Sequence, residues 1–564
     1  MLLIFLNWIY IFFISLGMGS WLQSIIVPKQ KNLFFTVLIG LFAELLLIHF
    51  SSLLLPINLL FYIFNSLLSI CGLFLHRKEF ILLFYQLKNN LKTWSFFTKI
   101  VGIFLGILVL MQSASIPYIP DNESYYLQSI KWLNEYGLVK GLANLHLFYG
   151  QMSGWHLLQS GFNFGFISNS FNDLNGFLMF ICSLFFLQHL DSYFKLKKYE
   201  DLFLGLIPIG NLFFFQFVNT PSPDLPLFLI SQIIFYLFYR NFKIYQNEYR
   251  LILCLCVFLI LIKITIVPLL TLPFILLIRH KKITKEFAFT SFLGLASLLA
   301  LTLKNYIISG YLAYPMNLFG AYFNPDWKLP ENLLGFYYHY TKMSAFTQID
   351  ALTTEGYDYW QLFKLWLFEP KLRTLFNSLI VALLVIFPFF IRKNRAVFWL
   401  YIYALFQFLV LFFSSPQYRF FIPLIIGLGI YLLVLIIQKQ TRLVKSIIIF
   451  FYFLPLIPLF VSINIQSLTN NDFMPPVLQA LEWKNVYEPN KNSRFHYQFK
   501  KVKTGNLIYN SPTDKNSFFW ISSDGELPCV NQQMIDYFQQ YYHTQPQLRT
   551  GNLKDGFYSK NLTK

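Results

Sequence analysis

The 564 residues are 56% hydrophobic and 20% aromatic, and only 12% are charged, against roughly 25% charged in an ordinary globular domain. Nearly all the charge falls in short clusters between apolar runs, which excludes a string of water-soluble domains. The 44 Lys and Arg outnumber the 26 Asp and Glu to give +18, but the cations collect in loops on one alternating side of the runs. The basic balance therefore reports membrane orientation and calls for no nucleic acid partner.

The N-terminal membrane part, residues 1–115, holds runs at about 2–24, 33–55, 57–75 and 100–115, each long enough to cross a bilayer as a helix. The first run lacks a basic start and a small-residue cleavage site, so it reads as a retained span and not a signal peptide. Basic clusters at Lys29 and Lys31 and from His76-Arg77-Lys78 to Lys99 lie on the cytoplasmic side by the positive-inside rule, which puts the N-terminus outside.

Residues 116–172 form a first large extracytoplasmic loop opening on PYIPDNESYY. Two prolines restrict the backbone there. Asp121 is positioned to cap the helix that follows, with Glu123 in its first turn, where the helix dipole favours an acid. His146 and His156 stand beside aromatics without metal-ligand spacing. The stretch 154–168 reads as re-entrant or interfacial, since a crossing there would move Lys195, Lys197 and Lys198 outside.

Central spans fill 173–303. Asp224, in the exterior TPSPD turn, is placed to cap the next helix. The region 251–278 has basic flanks at both ends and is interrupted by Lys263, Pro268 and Pro273, which predicts two half-spans meeting near Lys263, the pattern of discontinuous helices at polar ligand sites. An ammonium in an apolar run is costly unless it snorkels, pairs or meets an anion; Lys304, at a span end, can snorkel.

A second extracytoplasmic loop, 304–372, is rich in Tyr and Trp and predicts interfacial helices. Spans in 373–465 follow, with Arg392, Lys393 and Arg395 inside and SSPQYRFF outside, so Tyr418 and Arg419 sit at an exterior span end, where a guanidinium could clamp a phosphate. Residues 466–564 turn polar with short alternating stretches, predicting a small extracytoplasmic α/β domain. The five cysteines form neither a disulfide framework nor a metal motif. Walker, dinucleotide, HExxH and GxSxG motifs are absent.

The order of PDNESYY, SPD, Leu261-Ile-Lys263-Ile-Thr265 and PQYRFFIP resembles the GT-C superfamily of membrane glycosyltransferases, over roughly residues 96–440. Over its whole length, including DNESYYLQSIKWLNEYGLVKGLANLH and ELPC, the chain looks closer to a family of large multi-spanning bacterial membrane proteins with no assigned activity. The apolar runs predict an all-α polytopic protein of about 13–15 membrane segments, helical and so of the bacterial inner membrane, and the basic clusters put both termini outside; the resemblance implies that the bundle is GT-C-like. It further implies transfer of a sugar from a polyprenyl-phosphate donor to an envelope glycan, lipid or protein. On that resemblance Asp121 is the candidate base, Asp224 a second acidic site residue, and Lys263 and Arg419 phosphate-facing groups; with Glu123 beside Asp121, the catalytic candidates are Asp121, Glu123 and Asp224. Lys263, Arg419, Tyr418, His146, His156 and Lys304 are the substrate-binding ones. No cofactor is assigned, with a divalent cation left open and no metal ligands named. The alternatives are a transporter or flippase of a lipid-linked or anionic substrate, and a non-catalytic component of polysaccharide assembly.

Overall fold

The computed structural model describes the chain except residues 27–31, 245–247, 347–356, 392–393, 465–476, 479–480, 515–518 and 563–564. The readings for Lys29, Lys31, Arg392 and Lys393 fall outside the described residues. In chain order the helices are α1 (Leu2–Ile26), α2 (Leu33–Ser51), α3 (Leu59–Leu75), α4 (Arg77–Thr93), α5 (Phe96–Ser113), α6 (Leu127–Glu135), α7 (Gly154–Ser160), α8 (Leu174–Leu196) and α9 (Tyr199–Gly205). They continue with α10 (Asn211–Phe214), α11 (Asp224–Lys243), α12 (Tyr249–Ile262), α13 (Thr271–His280), α14 (Ile283–Ser309), α15 (Glu331–Met343), α16 (Tyr359–Leu367), α17 (Leu372–Ile386) and α18 (Pro388–Ile391). The last are α19 (Arg395–Ser414), α20 (Ile422–Ile437), α21 (Thr441–Phe453), α22 (Leu456–Phe460) and α23 (Gln532–Tyr542).

Among the described residues ten helical segments are long and apolar enough to cross a membrane, which marks a multi-pass membrane protein. Shorter apolar helices at Tyr249–Ile262, Ile264–His280 and Leu372–Ile386 supplement them. Side chains start several helices where the sequence offers a cap: Asn32 accepts from Phe34 N at 2.9 Å, and Ser95 from Thr98 N at 3.2 Å. Small residues bring the first three helices together. A methyl group on Gly40 would lie 1.6 Å from the Ser15 carbonyl oxygen, so close backbone approach there depends on glycine.

Basic residues gather at one end of the bundle and fasten helix ends to one another: Lys243 to Glu200 at 2.7 Å, Arg250 to Glu286 at 2.6 Å, and Arg279 to the Phe242 carbonyl at 2.8 Å. The last contact also fixes the topology of 249–280. Since α12 begins and α13 ends at this same basic end, the two form a hairpin whose tip is Lys263. Lys263 is extended (φ −152°, ψ 112°), and a 3-10 turn with Pro268 inside it follows. The β-branched run and proline disfavour a continuous α-helix there. The carbonyls freed at the break find partners, as buried backbone in a membrane requires: Ile262 O accepts from Ser153 Oγ at 2.7 Å, and Thr265 O from Gln407 Nε2 at 2.9 Å.

At the opposite end, residues 116–172 fold into short, mostly buried helices against the bundle. Helix α7, with seven buried residues, is too short to cross a bilayer. The C-terminal segment carries three two-stranded antiparallel pairs, β1 (Ile463–Asn464) with β2 (Val477–Leu478), β3 (Phe499–Thr504) with β4 (Leu507–Pro512), and β5 (Thr544–Leu548) with β6 (Phe557–Asn561), beside α23. It sits on the 116–172 region, where Lys131 pairs with Asp524 at 2.6 Å. The Met1 amine donates to the Asn485 carbonyl at 2.7 Å, so the start of α1 meets the C-terminal segment on this side.

Candidate functional site

Four charged residues from distant parts of the chain converge on the wall of one cavity of about 1100 Å³. Each is aimed by a local irregularity. Asp121 follows Pro120 and precedes a π-type turn over Asn122–Tyr126, Asp224 opens α11 after Pro223, Lys263 is the hairpin tip, and Arg419 lies in a 3-10 turn leading into α20. Such turns reorient a side chain without ending the element.

The four form a connected run of opposite charges. Arg419 Nη1 lies 2.8 Å from Asp121 Oδ2 and Nε lies 3.5 Å from Asp224 Oδ2, while Lys263 Nζ lies 2.7 Å from Asp224 Oδ1. Tyr126 Oη donates to Asp121 Oδ2 at 3.4 Å, and Gln417 Oε1 accepts from Arg419 Nε at 3.0 Å. The Phe420 ring centre is 3.3 Å from Lys263 Nζ, a cation–π contact. Asp224 is almost wholly buried, with its side chain 2% exposed, whereas the Asp121 side chain keeps 28% exposure. Asp224 is thus the anchor of the run and Asp121 its accessible end.

Neither carboxylate caps its helix: no side-chain cap bond forms at Asp121, and Asp224 is the first residue of α11, behind Pro223. Lys263 and Arg419 correspondingly face carboxylates. Lys304 does not snorkel. It is buried, 6% exposed, lines the cavity, and donates to the Met152 carbonyl at 2.5 Å without an ion-pair partner among the described residues. Its helix presents Leu298, Leu301, Thr302 and Asn305 to the same cavity, a stripe at helical spacing. Tyr418 also lines the cavity and stacks on Phe376 with centroids 5.3 Å apart.

Glu123, His146 and His156 are not brought to the cavity. Glu123 points under the C-terminal segment, where its carboxylate accepts from Ser493 Oγ at 2.7 Å, Ser523 Oγ at 2.9 Å, the Arg494 amide at 2.9 Å and Asn122 Nδ2 at 3.0 Å. Burial outweighs these bonds and raises its pKa above the ordinary carboxyl value. His146 Nε2 donates to the Trp520 carbonyl at 3.0 Å, while Nδ1 accepts from the Phe148 amide at 3.2 Å. Burial lowers its pKa to about 4. His156 closes a capping box with Ser153, and burial, helped by the Lys304 charge, lowers its pKa to about 3. Both rings are neutral framework groups.

Sequence reading missed Arg373 and Tyr126. Arg373 lines the cavity, donates to the Ala345 carbonyl at 2.8 Å and lies 3.6 Å from Glu369. Its position at the start of an apolar run, on the acidic-loop side, was the available signal. Arg419 bridges the two cavity carboxylates, and among the described residues no three His, Cys, Asp or Glu side chains come together.

Comparison with curated proteins and with solved structures returns no match. One family does match, the domain of unknown function DUF8201, over residues 1–426; this span takes in Asp121, Asp224, Lys263 and Arg419 and stops before the C-terminal strands. The chain therefore belongs to the DUF8201 family.

Proposed function

We propose that this protein is a GT-C-like glycosyltransferase of the bacterial inner membrane, moving a sugar from a polyprenyl-phosphate donor to an envelope glycan, lipid or protein on the exterior face. The observation that carries the reading is the Asp121–Arg419–Asp224–Lys263 run on the wall of a cavity of about 1100 Å³. The orientation rests on the basic residues at the far end of the bundle, which the positive-inside rule assigns to the cytoplasm.

In this reading Asp121 is the base. It accepts the proton of an acceptor hydroxyl as that oxygen bonds to the anomeric carbon, and the sugar–phosphate C–O bond breaks with its electron pair leaving on the polyprenyl phosphate. Arg419 orients the Asp121 carboxylate, and Asp224 holds Arg419 and Lys263 in place. Lys304, whose charge no carboxylate offsets, faces the leaving phosphate. The Leu298–Leu301 stripe below it offers a path for the prenyl chain, and α14 is the least buried of the ten candidate spans.

The test is turnover of a panel of radiolabelled polyprenyl-phosphate sugars by the protein in nanodiscs, with Asp121→Asn beside wild type. Turnover lost in the variant while donor binding persists supports the reading; binding with no turnover in either protein sinks it. That second result would favour a transporter or flippase, for which the broken helix at Lys263 is the supporting feature. A non-catalytic assembly role would leave glycan output insensitive to Asp121→Asn.

A further inference from the structure

Helix α4 meets α3 at 83°. Because α3 runs along the bundle, α4 lies crosswise at the basic end, the attitude of a helix resting in a membrane surface. Its two sides differ. Leu83 is buried, and Phe80 and Phe84 pack against the core, with the Phe84 ring 6.1 Å from that of Phe12. At helical steps of about 100° per residue, the other face collects Arg77, Lys78, Ile81, Tyr85, Lys88 and Lys92. Ile81 is 65% exposed and Tyr85 64%.

An apolar pair flanked by cations, uncovered by protein, matches the boundary between acyl chains and headgroups. Ile81 and Tyr85 reach inward while the lysines carry their ammonium groups to the phosphates. Against Arg77, Lys78, Lys88 and Lys92 the helix holds a single acid, Glu79, giving a net charge of +3. Glu79 lies 3.8 Å from His76, and among the described residues no carboxylate pairs with Lys78, Lys88 or Lys92. The helix is also held from its far end, where Lys195 of α8 donates to the Thr93 carbonyl, so its face is fixed relative to the bundle.

We propose that this face of α4 binds anionic phospholipid headgroups of the leaflet at the basic end, as a surface anchor separate from the cavity. The occupant is a lipid and not a soluble anion, because the exposed Ile81 and Tyr85 have no use for one. The inference does not depend on the enzymatic reading.

Native mass spectrometry of the full chain, titrated with phosphatidylglycerol and with phosphatidylcholine, tests it. Wild type is expected to retain phosphatidylglycerol preferentially, and the preference should fall by about tenfold or more in K78Q/K88Q/K92Q. Replacing three exposed lysines of β3, in K500Q/K501Q/K503Q, should leave it unchanged. Raising the salt concentration should weaken the preference in unmodified protein, a readout that needs no variant to fold. Equal retention of the two lipids by wild type, an equal loss in the β3 control, a preference that salt does not move, or displacement of the lipid by inorganic phosphate alone would each overturn the proposal.

Discussion

Arg419 donates to Asp121 across 2.8 Å, joining the start of the first long loop to the mouth of a late span. The bond leaves the Asp121 carboxylate oriented and open to the cavity. Its charge can be removed without emptying the site, because Asp224 still holds the guanidinium. Asp121→Asn is therefore expected to fold normally and to lose about 100-fold or more of its sugar-transfer rate, the scale of a lost general base. Single-turnover kinetics at matched protein abundance checks this.

The Lys263–Asp224 pair should behave differently. Asp224 is buried, and removing one partner of a buried pair costs about 3–5 kcal/mol. Lys263→Met alone should lower the thermal midpoint clearly, and adding Asp224→Asn should recover part of the loss, because the buried carboxylate that Lys263→Met leaves with only the longer 3.5 Å contact to Arg419 is gone. A double-mutant cycle in nanodiscs reads the coupling. Strict additivity of the two losses would show that the pair does not act as a unit.

Lys304 tests the donor assignment separately from folding. Lys304→Met matches the side chain's length and removes the charge, so the affinity for a polyprenyl-phosphate sugar is expected to fall by about tenfold or more, the effect of a lost charge-assisted bond. The variant should stay as stable as wild type or gain slightly, since a buried ammonium without a counter-ion is removed. Equilibrium binding and melting on the same preparation give both numbers.

Acid should loosen the contact between the first loop and the C-terminal segment. His146 titrates near 6.5 when unfolded and at about 4 when folded, so between those values the unfolded chain binds more protons. Stability is full above pH 6.5 and is lost as pH falls toward 4, by about 3 kcal/mol. His156 adds to the loss in the same direction over a window reaching about 3. Glu123 acts with the opposite sign. Its raised pKa means that its contribution declines as pH climbs from the ordinary carboxyl value toward the folded one. His146→Gln should move the acid midpoint of unfolding downward while leaving neutral stability within about 1 kcal/mol, as followed by tryptophan fluorescence.

Glu123→Ala should free the C-terminal segment. Four donors converge on this carboxylate, two of them hydroxyls of Ser493 and Ser523. Leaving buried donors unsatisfied costs about 1–3 kcal/mol each. Limited proteolysis is expected to clip the variant in the region beyond residue 482 while the membrane part stays intact.

Much of the frame was legible because hydropathy is a property of contiguous sequence. The half-spans around Lys263 could be read from basic flanks and two prolines, and the hairpin has its tip at that residue. The charged candidates could be found for the same reason: an ion is conspicuous in an apolar chain. Their partners could not. Nothing local says that Arg419 faces Asp121, that Lys304 stays buried, or that Glu123 meets Ser493, whose separation is 370 residues. Capping by Asp121 and Asp224 was a reasonable local expectation that long-range ion pairing overrode. Helix α4 went unread because its cations suggested a loop, and the 83° bend that sets it apart from α3 leaves no trace in the local sequence.

The run of four ions also sets a timetable for synthesis. Asp224 leaves the ribosome 39 positions before Lys263, so these two can neutralise each other as α11 and the hairpin tip enter the bilayer. Asp121 is made earlier still, and it must wait for nearly all the intervening helices to insert before Arg419 arrives. Until then the nascent protein carries Asp121 without the guanidinium that pairs with it in the finished fold. The closing of the Arg419–Asp121 bond is accordingly a late event in biogenesis, and it completes the cavity wall only in chains that have been translated past the entrance of α20.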